Sequence, residues 1–235
     1  MAFRIALAMH LACAFGATAT FWIPVAASKG GPLHLRAGRL YVRLIYLTAI
    51  TGAPLAVWLF ARAPEPGARR TAIFLAYLIT ILVMPVFHGV RVARAARDGR
   101  RVGSFAHTAL SVSAIVAGVV LCGLAIAWRE WPYVLLSPVG PVMGVRALRY
   151  SSRMNIGGWR EEHIVAMLIS GIAVHTALLV FGLGRTLGMH LSGLMLYVPW
   201  LLPTVVGLPL LLWAVRKERA RLSTTTSPAR TTPPR

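Results

Sequence analysis

The chain has 235 residues, 57% of them hydrophobic and 13% charged, against about 25% charged in an ordinary water-soluble domain. Six acidic and 25 basic residues cannot clothe a core of that size in polar groups, which argues against a soluble globular protein. The net charge of +19 does not point to nucleic acid either. The basic residues fall between apolar runs of membrane-spanning length and read as orientation signals at one membrane face.

A hydrocarbon core of ~30 Å needs about 20 apolar residues per helix. Such runs occur at Phe3 to Ala27, Leu40 to Phe60, Thr71 to Val92, Ser104 to Trp128, His163 to Gly184 and His190 to Ala214. A seventh candidate, Pro132 to Leu148, is shorter and broken by Pro138 and Pro141, and reads as a tilted crossing or a re-entrant segment. The expected fold is all-α: a polytopic transmembrane helical bundle of about seven crossings, six clear plus one short and Pro-broken. Residues 1–222 form its single domain. The segment 223–235, rich in Ser, Thr and Pro, is expected to be a disordered cytoplasmic tail.

Seven crossings with an outside N-terminus place 19 basic residues on the cytoplasmic side and six outside, the asymmetry expected of an inner-membrane protein. The cytoplasmic set comprises Lys29 to Arg43, Arg91 to Arg101, Arg146 to Arg160 and the residues beyond Ala214. Six crossings give a weaker asymmetry. The first segment has small residues at Ala17 to Ala19 that suit signal cleavage, but the heavier charge follows it, favouring an uncleaved helix. Lysine occurs only at Lys29 and Lys217, a bias that fits a GC-rich bacterial genome. The expected location is therefore the bacterial inner membrane, with the C-terminus cytoplasmic.

Cys13 and Cys122 lie inside apolar runs with no CxxC spacing, which argues against a zinc ribbon. All six acidic residues fall in linkers or at helix ends, so no buried carboxylate is expected and a pump running on intramembrane carboxylates is excluded. There is no HExxH, GxSxG or P-loop. The histidines remain. At ~1.5 Å rise per residue, His88 and His107 lie about 5 Å inside the cytoplasmic end of their helices. His163 begins its helix at that face and His34 sits in the neighbouring loop, making an inner tier of four. His10 and His175 lie deeper from the other side, with His190 near that surface, as an outer tier.

Two helices present small-residue stripes beside these histidines: Ala6, His10, Cys13, Ala14 and Ala17, and His107, Ser111, Ala114, Gly118 and Cys122. Such stripes let a helix or a flat cofactor approach closely. The tiers suggest haem b or another redox cofactor, with His10 and His175 as outer ligands and His88, His107 and His163 as inner ones. Two other readings stand beside it. Pro85, Pro199, Pro203 and Pro209 break helices that could line the path of a small-molecule or lipid transporter. The small faces could instead dock a membrane-protein partner or a second copy, as in a scaffold or accessory subunit; the lipid bilayer is a partner in every case.

The first loop runs Lys29, Gly30, Gly31, Pro32, Leu33, His34, Leu35, Arg36, Ala37, Gly38, Arg39, Leu40, Tyr41. At His34, Gly38, Arg39 and Tyr41 it resembles the His-Arg-x-x-Gly-Arg-x-Tyr signature of a bacterial family of multi-pass membrane proteins, domain of unknown function 2306. It departs at Leu35, where the family usually has arginine. The resemblance covers mainly the first four helices and implies a helical membrane fold with no established activity. The loop itself places His34, Arg36 and Arg39 at the cytoplasmic interface, where they could bind lipid phosphate or serve only to set topology.

Overall fold

The computed structural model describes residues 2–62, 64–152, 158–183 and 193–225. These form α1 (Ala2–Ala26), α2 (Pro32–Arg62), α3 (Pro66–Asp98), α4 (Phe105–Trp128), α5 (Trp131–Leu136), α6 (Val139–Ser151), α7 (Trp159–Ala177) and α8 (Val198–Thr225). A wider π-type turn, Leu178–Leu183, extends α7, and a 3₁₀ turn, Gly193–Tyr197, leads into α8. Among the described residues there is no strand. Six helical stretches are long and apolar enough to cross a membrane, so the chain is a multi-pass, all-α membrane protein. Of the expected tail, Ser223 to Thr225 continue α8 and the remainder lies outside the described residues.

The helices outrun their apolar stretches. α2 begins at Pro32 and α3 continues to Asp98, so turns bearing arginine extend both beyond the hydrophobic run. His34 therefore sits in the first turn of α2, not in a loop. α3 ends at Gly99, whose φ of 66° is the left-handed conformation that stops a helix. α3 and α7 are the most enclosed of the spanning helices, while α1 and α8 leave most of their surface open.

The Pro-broken seventh segment traverses the whole bundle. α5 and α6 run alongside α3 in the same direction: Tyr133 hydroxyl meets Thr71 at 3.2 Å, Ser137 carbonyl meets Tyr77 hydroxyl at 2.7 Å, and Tyr150 packs on His88. From Trp131 to Ser151 the rise is ~30 Å, the thickness of the hydrocarbon core. Each proline removes the donor to the carbonyl four residues back. Pro138 frees Val134 and Pro141 frees Ser137. Ser137 Oγ donates to the Val134 carbonyl at 2.8 Å, and Tyr77 donates to the Ser137 carbonyl. Tyr77 also accepts from the Gly140 amide at 2.9 Å.

Small residues set the approach of α4 to this broken helix. A Cβ on Gly144 would lie 2.5 Å from the Ser111 carbonyl, and one on Gly140 would strike the Ala114 carbonyl and Tyr77. Ser111, Ala114 and Gly118 of the α4 stripe are thus buried against α6, while His107 turns to α3. It continues through Leu121 and Ala125, leaving Cys122 only half-buried.

One end of the bundle is closed by aromatic rings. Phe74 stacks on Tyr133 at 4.3 Å, Trp200 meets Phe74 edge-on at 5.5 Å, and Phe181 packs edge-on against Trp200 at 5.8 Å. The other end carries the arginine-bearing turns of α2, α3, α6, α7 and α8 and is called the arginine-rich end below. There Arg219 of α8 grips Glu161 of α7 at 2.6 and 2.8 Å.

Tyr77→Phe deletes the hydroxyl that serves Ser137 and Gly140 and should lower stability by about 1–3 kcal/mol, measured by denaturant unfolding in mixed micelles. Gly123→Ala, where a Cβ meets nothing within 4 Å, should leave stability unchanged or slightly raised.

Candidate functional site: a buried Arg–Glu–His–His chain

Four helices meet just inside the arginine-rich end. α3 contributes His88, which is fully buried, one turn beyond Met84 and Pro85. α4 contributes His107 from its first turn, fixed by Ser104, whose Oγ accepts the His107 amide at 3.2 Å. Glu162 lies in the first turn of α7, where unpaired amides and the helix dipole favour a carboxylate. α6 contributes Arg146.

These side chains form one hydrogen-bonded series. Arg146 donates to both oxygens of Glu162, Nε to Oε1 at 3.0 Å and a terminal nitrogen to Oε2 at 2.7 Å. Glu162 Oε1 lies 3.0 Å from His88 Nε2, and His88 Nδ1 lies 2.9 Å from His107 Nε2. Direction follows from donor chemistry. A carboxylate held by a guanidinium only accepts, so His88 carries its proton on Nε2. In a neutral His88, Nδ1 accepts, and His107 must carry its proton on Nε2. The series then ends at His107 Nδ1, which is buried with no hydrogen-bond partner among the described residues. Were His88 charged, the series would reverse and the same atom would carry an unanswered N–H. In either state His107 Nδ1 is the open terminus.

The surroundings hold this terminus rigid. Phe87 stacks on the His107 ring at 6.3 Å, and the Arg91 guanidinium lies 5.7 Å over Phe87 while its Nε donates to the Val102 carbonyl. Tyr150 meets His88 edge-on at 5.9 Å. A desolvated imidazole polarised by a carboxylate and left with one free nitrogen is suited to taking up a proton or ligating a metal.

Glu162 corrects the sequence expectation that no carboxylate is buried. It is 5% exposed and Glu218, at 6%, is buried as well. A helix end is a polar position only when nothing packs around it, and α7 begins between α3, α6 and α8. Sequence reasoning also missed Arg146. The signal available was the Glu161–Glu162 pair, two of only six acidic residues, placed directly before His163.

The inner tier is brought together around one α3–α7 contact. His163 Nδ1 donates to the Gly89 carbonyl at 3.0 Å, next to His88, and the His34 and His163 rings lie 6.5 Å apart. Gly89 permits this closeness, since a Cβ there would press on Ala166 and Met167 at 3.1 and 3.0 Å. His10 and His175 are not brought together. His10 lies on the α1–α2 seam, its Nδ1 3.0 Å from the Thr48 carbonyl. His175 uses both nitrogens, donating to the Gly171 carbonyl at 2.7 Å and accepting from Trp22 at 3.1 Å. Trp22 lies ~18 Å of helix rise from His10 along α1. Arg36 and Arg39 are exposed, and His190 lies outside the described residues.

No family model, curated protein or solved structure matches the chain. Function must therefore be argued from the site itself. Among the described residues no group of three histidine, cysteine or acidic side chains could hold a metal ion. Of the five histidines expected as haem ligands, His88 and His175 have both ring nitrogens engaged within the protein.

A double-mutant cycle tests the series. Glu162→Gln combined with Arg146→Gln should show a coupling of about 1–3 kcal/mol in unfolding free energy. Glu162→Gln with Arg219→Gln, whose partner is Glu161, should be additive.

Proposed function

We propose that this multi-pass membrane protein carries out acid–base chemistry at His107, as a proton acceptor set into the bilayer. The observation that supports it is the buried Nδ1 of His107, without a partner among the described residues, at the end of a series anchored by an ionised carboxylate. A proton taken at Nδ1 makes the His107–His88 pair cationic. Glu162 lies in contact with that pair and stabilises its charge, while Arg146 keeps Glu162 itself ionised. The series thus acts as the carboxylate–imidazole unit of a general base, with a second imidazole extending its reach. Positive charge concentrated at this end favours the cytoplasmic side, so the protein sits in the bacterial inner membrane with His107 near its inner face and the C-terminus inside.

Diethyl pyrocarbonate, a small apolar reagent that acylates neutral imidazole nitrogens, tests this reading through peptide mass spectrometry. His107 should be modified roughly tenfold faster than His88 or His175, whose nitrogens are occupied, and Glu162→Gln should slow it by about the same factor. Modification of His107 no faster than that of His88 would sink the proposal, since a nitrogen free to take up a proton must react ahead of one that is occupied.

A second reading, ligation of haem b, draws on the same atom. A nitrogen whose ring partner is hydrogen-bonded toward a carboxylate is the arrangement seen at metal-ligating histidines. Absorption spectra of protein purified from haem-replete cells separate the two. A stoichiometric Soret band lost in His107→Leu supports haem, and colourless protein supports acid–base chemistry alone.

A further inference from the structure

A second cluster of basic groups lies on the far side of the α3–α7 contact, and the series above does not use it. The Pro24 carbonyl, near the end of α1, accepts from both Lys29 Nζ at 2.9 Å and His34 Nδ1 at 3.0 Å. These two side chains are therefore held side by side. His163 stands beyond them, its ring 6.5 Å from that of His34. Both imidazoles are anchored through Nδ1 to backbone carbonyls, which leaves each Nε2 without a hydrogen-bond partner among the described residues. Lys29 gives a second proton to the Val25 carbonyl at 2.6 Å and retains a third.

Among the described residues no carboxylate balances this cluster. Glu162 is committed to His88 and Arg146, Glu161 to Arg219, and Glu218 faces Arg160 and Arg221. The charged neighbours acting on His163 are His34 and Lys29, and Lys217 of α8 acts on Lys29. Burial, and then Lys217, push the Lys29 ammonium below the usual lysine range, as befits a cation gathered with others and left without a counter-ion. On either side of His34, Leu33 and Leu35 are exposed large apolar side chains, the surface of a site at the boundary between lipid tails and headgroups.

We propose that Lys29, His34 and His163 bind a phosphate group, that of an anionic phospholipid headgroup or of free phosphate. Lys29 offers its remaining proton, and each imidazole takes up a proton at Nε2 as it turns from bare acceptor to donor, Nδ1 staying on its carbonyl. Phosphate oxygens then receive three charge-assisted hydrogen bonds. Leu33 and Leu35 flank the site as neighbours for acyl chains. The proposal does not depend on His107 and stands or falls separately.

The test uses the full chain in dodecyl maltoside, with melting temperature read against added phosphatidylglycerol, phosphatidylcholine, potassium phosphate or potassium chloride. Phosphatidylglycerol should raise the melting temperature by roughly 5 °C near saturation and phosphatidylcholine should not. A matching rise with potassium phosphate identifies free phosphate as a ligand, and its absence assigns the site to lipid. In the variant H34N/H163N each asparagine keeps a donor where Nδ1 stood and lacks Nε2, so most of the rise should vanish. R100Q/R101Q, which alters exposed arginines at the same end, should keep it. The rise should be larger at pH 6 than at pH 8. An undiminished response in H34N/H163N, a response independent of pH, or no response of the wild type to either phosphate source would overturn the proposal.

Discussion

An ionised carboxylate inside a membrane bundle is the constraint on which the arginine-rich end depends. Glu162 is almost fully enclosed, and a bare carboxylate in such a place would be neutralised or driven out. Two partners from different helices prevent that. Arg146 reaches it from α6 in a two-pronged grip, and His88 from α3 presents an N–H. The first turn of α7 is thereby tied to α3 and α6 at once, and the proton positions along His88 and His107 follow from the same charge.

The broken α5–α6 helix makes this possible. Arg146 belongs to a segment that reaches the arginine-rich end only because it crosses the full width of the bundle. Pro138 and Pro141 leave carbonyls that must be satisfied within the protein, and Ser137 and Tyr77 supply the donors. Glycines at positions 140 and 144 then let α6 settle against α4, so that His107 is carried up to His88. The opposite end contains no comparable polar network among the described residues. Its packed rings of Phe74, Tyr133, Phe181 and Trp200 leave the chemistry confined to one side.

The long helices were legible because hydropathy over twenty residues is a local property. The true starts of α2 and the end of α3 were not, since arginine-bearing turns look like loops when only apolarity is counted. Whether 132–148 crosses could not be read from its own residues, because the donor for the Ser137 carbonyl lies sixty positions away, on Tyr77. Depth along a helix groups His88, His107 and His163, His34 joins them from the neighbouring segment, and all four lie toward one end. Depth says nothing of azimuth, and the outer pair shows it: His10 faces α2 while His175 faces Trp22. Glu162 looked like a solvated helix end for a related reason, since its burial is a property of three neighbouring helices. The small-residue stripes were visible, but on α1 and α4 they receive α2 and α6.

The chemistry of the site turns on where the protons of His88 and His107 reside, and ¹⁵N NMR of histidine-labelled protein in nanodiscs reports that directly. At neutral pH His88 should show a protonated Nε2, and His107 a protonated Nε2 with an unprotonated Nδ1, the assignments resting on the corresponding histidine variants. Glu162→Gln should alter both rings. A His107 protonated on Nδ1 with a bare Nε2, or histidine spectra indifferent to Glu162, would contradict it.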